Sequence, residues 1–296
     1  MARGRRVVTV SGGIDTASVL YFSLRDGYEV VPAILDMGHR NFMWEYAAAK
    51  QLVEKLRQHF PNQFVTDLIV LRVMPNPWQQ LGMTWDNART PMATGVTLTM
   101  LDEENFKQTF IPLRNVLMTV YMAILADKYG ANEVAFGFCR DQEFYPDDNY
   151  EFTIKITPII QENTFNHVRI VAPVGDRYRI DFVKEVYDDG FGWIYRYTFS
   201  CIGHSDFEQL PDGRFLHCGI CEHCIDRRLL YYILEKEHGI RDEVPYIHPI
   251  EHICDTVEKA YRKKKDLPVV TEWWLKRKFV KYTEDFLENV CRRKVK

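Results

Sequence analysis

Nowhere in the 296 residues does a run of eighteen apolar side chains occur, so no bilayer-spanning helix is expected. The Walker signature, G-x-x-x-x-G-K followed by Ser or Thr, is missing near the front turn described below, which excludes that route to phosphate binding there. Cysteine is sparse, with seven in the whole chain. The basic opening Met1-Ala2-Arg3-Gly4-Arg5-Arg6 leads straight into an apolar strand, which speaks against a cleaved secretory leader. A disulfide framework is therefore not expected, and Cys139, Cys254 and Cys291 read as ordinary thiols. Internal repeats and low-complexity tracts are also absent. With 46% hydrophobic residues and a net charge of −3, the chain has material for a large core. These properties fit a cytoplasmic, soluble enzyme with one α/β domain and a smaller appendage.

Near the start stands Ser11-Gly12-Gly13-Ile14-Asp15-Thr16. Val7 to Val10 form a β-branched apolar run, and Ala17, Leu20 and Leu24 recur at helical spacing. The motif is thus a turn between a buried strand and a helix N-terminus. Its glycines let the backbone approach a ligand, while free N–H groups and the helix dipole favour an anion. Ser11 and Thr16 can add hydroxyl hydrogen bonds to phosphate oxygens. A carboxylate at Asp15 repels phosphate unless magnesium lies between them, so Asp15 reads as a metal contact. The plain alternative is a glycine turn with a Thr or Asp helix cap.

Cys201, Cys218, Cys221 and Cys224 follow a C-x16-C-x2-C-x2-C spacing. Four thiolates so spaced can close a tetrahedral zinc site, with Gly219 permitting the knuckle turn. His204, His217 and His223 are spare ligands nearby, and an iron–sulfur cluster remains open as the alternative to zinc.

Between these motifs strands alternate with helices. Strands are expected at Glu29 to Asp36, Phe64 to Val73, Glu133 to Phe138 and Val168 to Ala172. Tyr46, Ala49, Val53 and Leu56 mark one amphipathic helix, and Leu117, Val120, Ile124 and Leu125 give another, with these side chains on its apolar side. That alternation predicts an α/β fold, a parallel sheet wrapped by helices with ligands at the carboxyl ends of its strands. Met74 to Thr109, with Trp78 and Trp85, is a long irregular stretch that reads either as a lid over the substrate or as packing.

The front turn resembles the PP-loop of ATP pyrophosphatases, which cleave ATP between its α and β phosphates to make adenylates. Three further landmarks narrow the likeness: Arg114-Asn115, Tyr145-Pro146-Asp147, and the terminal cysteines. In this order they are similar to the QueC family, the 7-cyano-7-deazaguanine synthases, over residues 5 to about 235. The resemblance implies an adenine nucleotide alpha-hydrolase-like PP-loop domain at 1–200 and a zinc-binding segment at 201–235, and beyond its reach a basic helical extension is expected at 236–296. It implies Mg2+-ATP and a 7-carboxy-7-deazaguanine as substrates, a structural Zn2+ and a homodimer. The acid would be adenylated, ammonia would give the amide, and a second ATP would drive the amide to the nitrile preQ0. Ser11, Gly12, Gly13, Asp15, Thr16 and Asn115 would bind the nucleotide. Asp15, Arg114, Asp147 and Arg179 would serve catalysis. Arg114, Asn115, Tyr145, Asp147, Arg179 and Asp181 would bind the substrate, the last two where the family carries a lysine and an acid. Asp147 pairs with a guanine-like edge or is simply a turn residue after Pro146.

The chain also departs from the family. Tyr145-Pro146-Asp147-Asp148-Asn149 stands where Y-P-D-C-R is usual, so a cysteine and an arginine give way to an acid and an amide. Pro112-Leu113-Arg114-Asn115 lacks the glycine of P-G-R-N, and Gly38-His39-Arg40 replaces G-Q-R-H. Losing a basic group near two nucleotides is not conservative, and Asp148 repels an anion. These changes fit retained adenylation with an altered acceptor or an altered second step, as in QueC-like ligases that resemble antiphage defence proteins and could take a protein amine as acceptor.

Finally, Arg262 to Lys296 holds twelve Lys or Arg against five Asp or Glu, a net of +7 against −10 for the remainder. Interleaved Trp273, Trp274, Phe279, Tyr282 and Phe286 allow a nucleic-acid reading, including a tRNA-modifying enzyme. The helical spacing of Leu275, Phe279, Tyr282 and Phe286 favours packing on a core with the charges solvated, so no nucleic-acid partner is expected.

Overall fold

A computed structural model describes residues 3–39, 41–73, 113–140, 146–203, 208–265 and 279–292. These fall into two units, one running to Phe199 and the other from Ser200. The lid segment with Trp78 and Trp85, together with Arg40, Pro112, Tyr145, His204, Trp273, Trp274 and Leu275, lies outside the described residues.

The first unit is built on β1 (Arg5–Thr9), β2 (Glu29–Asp36), β3 (Ile69–Arg72), β4 (Glu133–Ala135) and β5 (Arg169–Val171). All pairings are parallel and the order is β3-β2-β1-β4-β5. Helices α1 (Ile14–Arg25), α2 (Phe42–His59), α3 (Arg114–Lys128), α4 (Tyr150–Glu162) and α5 (Arg179–Asp188) join and cover the strands. Val7, Val8, Val30, Val31, Ala33, Val134 and Ala135 are wholly buried, as near-continuous apolar strands covered on both faces should be. Strand order reverses between β1 and β4, which opens a crevice at their carboxyl ends.

Three expectations shift in detail. Pairing along Phe64 to Val73 is confined to β3, with Phe64 adding only an isolated bridge to Val30. Arg57 holds the intervening bends, donating to the Thr66 carbonyl and to Asp67 at 2.6 Å each. β4 stops at Ala135 because the chain then crosses the glycine turn: a Cβ on Gly137 would come within 3.1 Å of the Thr16 nitrogen. On α3, Val120 and Ile124 are exposed, contrary to the apolar face read from spacing. Leu125 is buried as expected, but its buried companions are Asn115, Thr119, Met122, Ala123 and Ala126. Small residues allow close approach to the sheet, and Thr119 satisfies its hydroxyl on the Asn115 carbonyl at 2.7 Å.

At the amino ends of the strands lies a closed charge cluster. Arg6 donates from Nε to Glu133 Oε2 at 2.9 Å and from Nη1 to Ser23 at 3.2 Å. Its guanidinium sits 3.6 Å over the Tyr28 ring. Glu133, 4% exposed, takes Arg169 on its other oxygen.

The second unit contains α6 (Glu222–His238), α7 (Cys254–Lys265) and α8 (Phe279–Asn289). Ile225, Leu229, Val257, Tyr261, Phe286 and Leu287 form its core, so Phe286 packs inward as its spacing predicted. Arg227 is buried and forked onto Asp242, with two contacts of 2.9 Å. Cys254 and Cys291 are joined in a disulfide, with Cα atoms 5.6 Å apart, and so are not the free thiols expected. The start of α7 and the end of α8 meet in this core although 37 residues separate them, a proximity no local pattern encodes. Among the described residues no helix is long and apolar enough to cross a membrane.

Candidate functional site

Leaving β1, the chain keeps one more sheet-like bond, Val10 N–H to the Ala33 carbonyl at 2.8 Å, and then turns through the glycines. Gly12 takes φ +81°, and a Cβ there would lie 2.8 Å from both Ala48 Cβ and the Glu45 carbonyl. Only glycine fits that approach between the turn and α2. Gly13 is the N-cap of α1 and offers no side-chain cap, so neither Thr16 nor Asp15 plays the capping role. The hydroxyls of Ser11 and Thr16 lie 3.1 Å apart, and Thr16 Oγ1 also accepts the Ser11 N–H at 3.2 Å. The turn is thus held by its own hydroxyls, while the first N–H groups of α1 face the carboxyl end of β1 with the positive end of the helix dipole.

Five charged side chains from four segments meet at the β1–β4 crevice. Asp15, in the first turn of α1, is gripped bidentately by Arg179 from the start of α5, Nε to Oδ1 at 2.7 Å and Nη2 to Oδ2 at 2.8 Å. This pairing fixes the carboxylate. Asp147, buried in the turn before α4, accepts the Asn115 backbone N–H at 3.1 Å and so caps α3 from outside. Asp148 Oδ2 lies 3.9 Å from Arg114 Nη2, in ion-pair range but beyond a hydrogen bond. Burial pushes the Asp148 carboxyl up to about 6, with Asp147 and Asp15 adding to the effect and Arg114 and Arg179 opposing it.

Three groups here keep unused hydrogen-bonding capacity. The Asn115 amide Nδ2 is buried with no partner among the described residues. Arg114 makes no hydrogen bond among them, and neither does the Asp148 carboxyl, though its side chain is only 14% exposed. Buried polar groups are ordinarily satisfied, so such a concentration marks a place awaiting a ligand. Asp181 is not drawn in: it is exposed in the first turn of α5. Tyr145 lies outside the described residues. Nearby, His39 at the end of β2 bonds Glu45 at 2.9 Å. Burial disfavours the charge on His39, but the Glu45 carboxylate outweighs it and holds the imidazole above its usual range.

Two departures from the family pattern resolve differently. Asn149 is the N-cap of α4, its side-chain oxygen accepting the Phe152 N–H at 2.9 Å, so it has a structural task. Asp148 caps no helix among the described residues and has only its ion-pair approach to Arg114 there. Sequence reading singled out Asp148 as a departure pointing to an altered acceptor or second step, but did not place it among the site residues. Leu113, standing where the family has glycine, is the exposed N-cap of α3 and takes left-handed φ +63°. That is the conformation glycine adopts without a Cβ clash.

In the other unit Cys201, Cys218, Cys221 and Cys224 are all buried, with their sulfurs within 4.8 Å of one another. Cys201 and Cys221 are 3.9 Å apart and Cys218 and Cys224 3.8 Å. A tetrahedron of zinc–sulfur bonds near 2.3 Å requires sulfur separations of about 3.8 Å, so the donor set fits zinc. Backbone N–H groups of Ile220 and Cys221 point at Cys218 Sγ at 3.4 and 3.3 Å, the knuckle that stabilises thiolate. Gly219 makes the turn at φ +85°, and a Cβ on Gly203 would strike the Cys221 Cβ at 2.6 Å. The neighbouring side chains of Cys201, Cys221 and Cys224 hold the Cys218 thiol far below its usual range. His217 is not needed as a ligand: its Nδ1 faces the Phe215 carbonyl at 2.9 Å and its Nε2 accepts the Ser200 N–H at 3.3 Å. Burial, with Arg227 nearby, keeps this imidazole neutral, its pKa lowered to about 4.

A parallel sheet with a glycine turn after β1 and charges gathered at the strand-order reversal defines an α/β protein of the PP-loop class. Within that class the chain belongs to the QueC family: the family model described as "Queuosine biosynthesis protein QueC" matches residues 5–233. Among curated relatives, the 7-cyano-7-deazaguanine synthase of Pyrococcus horikoshii is 27% identical over 228 residues, 75% of this chain and 90% of that protein. The synthase of Methanocaldococcus jannaschii is 27% identical over 251 residues, 82% of this chain and 99% of its own length. That of Clostridium kluyveri is 25% identical over 249 residues, covering 82% and 97%.

Proposed function

We propose that this chain uses Mg-ATP to adenylate the carboxylate of a 7-carboxy-7-deazaguanine and transfers the activated acyl group to an amine. The observation that carries the reading is the glycine turn at the start of α1, whose Asp15 is held by Arg179 and lies within electrostatic reach of Asp148 together with Arg114. Family membership and the relatives' printed activity supply the substrate class. N–H groups at the start of α1 would hold the departing pyrophosphate, and the Arg114 guanidinium, held only by its 3.9 Å ion pair with Asp148 among the described residues, suits a carboxylate or phosphate. Arg179 positions Asp15 to meet the magnesium that arrives with ATP. Asn115 would give its unpartnered amide to base or ribose. The four-cysteine centre would hold zinc, which supplies local folding energy rather than reaction chemistry. On this reading residues 1–200 form the catalytic domain, 201–235 the zinc segment and 236–296 an extension.

With ammonia as acceptor the product is an amide that a second ATP dehydrates to the nitrile, the activity in the relatives' names. Asp148 favours a second reading, in which the reaction stops at an amide. Incubation with Mg-ATP, 7-carboxy-7-deazaguanine and ammonium, followed by mass spectrometry, tests both. Nitrile with AMP supports the first and AMP with amide alone the second, whereas no acid-dependent AMP removes the substrate assignment.

A further inference from the structure

Asp148 is the side chain at the crevice whose chemistry the adenylation step leaves unused. Its partners are incomplete in a specific way. Asp15 is matched by Arg179, and Asp147 is committed to the N-terminus of α3. Among the described residues Asp148 has only the 3.9 Å approach of Arg114, too long to spend a lone pair. Among the described residues three carboxylates face two guanidiniums, all within electrostatic reach of Asp148. An ionised carboxylate there attracts a group with N–H bonds and positive character. When Arg114 turns to the acid or its adenylate, Asp148 is left facing that space with its acceptor capacity intact. The neighbouring departure, Asn149, is accounted for by capping α4, which separates the two changes.

We propose that Asp148 seats the acceptor amine beside the acyl adenylate and takes the proton that the nitrogen sheds. The inference rests on the adenylation reading above. The amine enters as the neutral base, an N–H directed at the Asp148 carboxylate. Its nitrogen attacks the carbonyl carbon, and the C–N bond forms as the C–O bond to AMP breaks. AMP leaves with that electron pair, the surplus proton on nitrogen passes to Asp148, and the carboxyl later returns it to water. A thiol at this position, as the family pattern has it, is a weak acceptor and a poor seat for an amine. Two sources share this chemistry, ammonia and a primary amine. An amide made from ammonia keeps two N–H bonds and can go on to nitrile. An amide made from a primary amine keeps one and cannot.

Burial places the Asp148 carboxyl near the range where proton transfer at neutral pH is efficient. The groups that set its charge are Arg114 on α3, Asp147 beside it, Asp15 on α1 and Arg179 on α5.

The test measures two half-reactions on the full chain. ATP–pyrophosphate exchange dependent on 7-carboxy-7-deazaguanine reports adenylation, and product formation with ammonium or glycinamide reports amine transfer. Asp148→Asn and Asp148→Cys should each lower kcat/KM for the amine at least tenfold more than they lower exchange. Asp148→Glu should restore part of it. The wild type should show a fall in amine transfer below about pH 6, beyond the slope from protonation of the amine itself, and Asp148→Asn should lack it. A preference for glycinamide over ammonium supports the seat and names a primary amine; the reverse supports it and names ammonia. Unchanged amine kcat/KM and an unchanged pH profile in Asp148→Asn, with exchange intact, overturn the inference alone. If the wild type shows no acid-dependent exchange, the adenylation reading falls and takes the inference with it.

Discussion

The two ends of one sheet treat charge in opposite ways. At the amino ends of β1, β4 and β5, Arg6, Glu133 and Arg169 lock into a saturated cluster with Ser23 and the Tyr28 ring closing the gaps. At the carboxyl ends, Asp148, Arg114 and the Asn115 amide are left under-bonded within the same fold. The saturated end serves the fold. The unsaturated end costs stability, and that cost is the mark of a place shaped for something that binds. Natural proteins keep such sites because function demands charges that the fold alone would exclude.

Opposite signs of mutational effect should expose this difference. The largest effect is expected from Glu133→Ala, which strands the buried Arg6 guanidinium and should cost about 3–5 kcal/mol in urea unfolding. A change below about 1 kcal/mol would mean the amino end is not structural in this sense.

Removing charge at the other end should instead stabilise. The Asp148 carboxyl stands near 6 in the folded chain, against about 3.9 when unfolded. Between those values the native state binds the extra proton, so stability falls as pH rises through the folded value and the deficit is complete above it. Asp148→Asn should therefore gain about 3 kcal/mol at pH 7–8 and nothing near pH 3, where both states are protonated. Thermal unfolding of both proteins across pH reads the difference directly, and a destabilised variant at pH 8 would contradict the comparison.

Smaller effects sharpen it. Asn149→Ala should cost about 1 kcal/mol through loss of the α4 cap, with no pH dependence, setting it apart from its neighbour in the same melts. Leu113→Gly should be the mildest, stabilising by about 0.5–1 kcal/mol because the left-handed backbone no longer meets a Cβ, offset in part by glycine's freedom when unfolded. Loss of stability there would show that the Leu113 side chain makes a contact outweighing the strain.

How much of this was readable beforehand depends on distance along the chain. The strand, the Ser11 to Thr16 turn and the start of α1 form one local unit, and the period of apolar residues suffices to place them. The pairing of Asp15 with Arg179 spans 164 positions and is seen only in the structure, Asp15 having been read from the turn itself and Arg179 from family likeness. Spacing misplaced the inward face of α3, because large apolar Val120 and Ile124 look like core while Thr119 and Ala123 occupy it. Cys254 and Cys291 looked unrelated for the same reason that Arg179 did.

By itself the sequence determined the α/β alternation, the glycine turn and the four-cysteine knuckle, since each is a short-range consequence of propensity, glycine geometry or ligand spacing. Tertiary structure alone decided which charges are spent and which are held open. Whether a carboxylate is matched depends on desolvation and on partners brought from distant segments, and neither is written in the residues beside it.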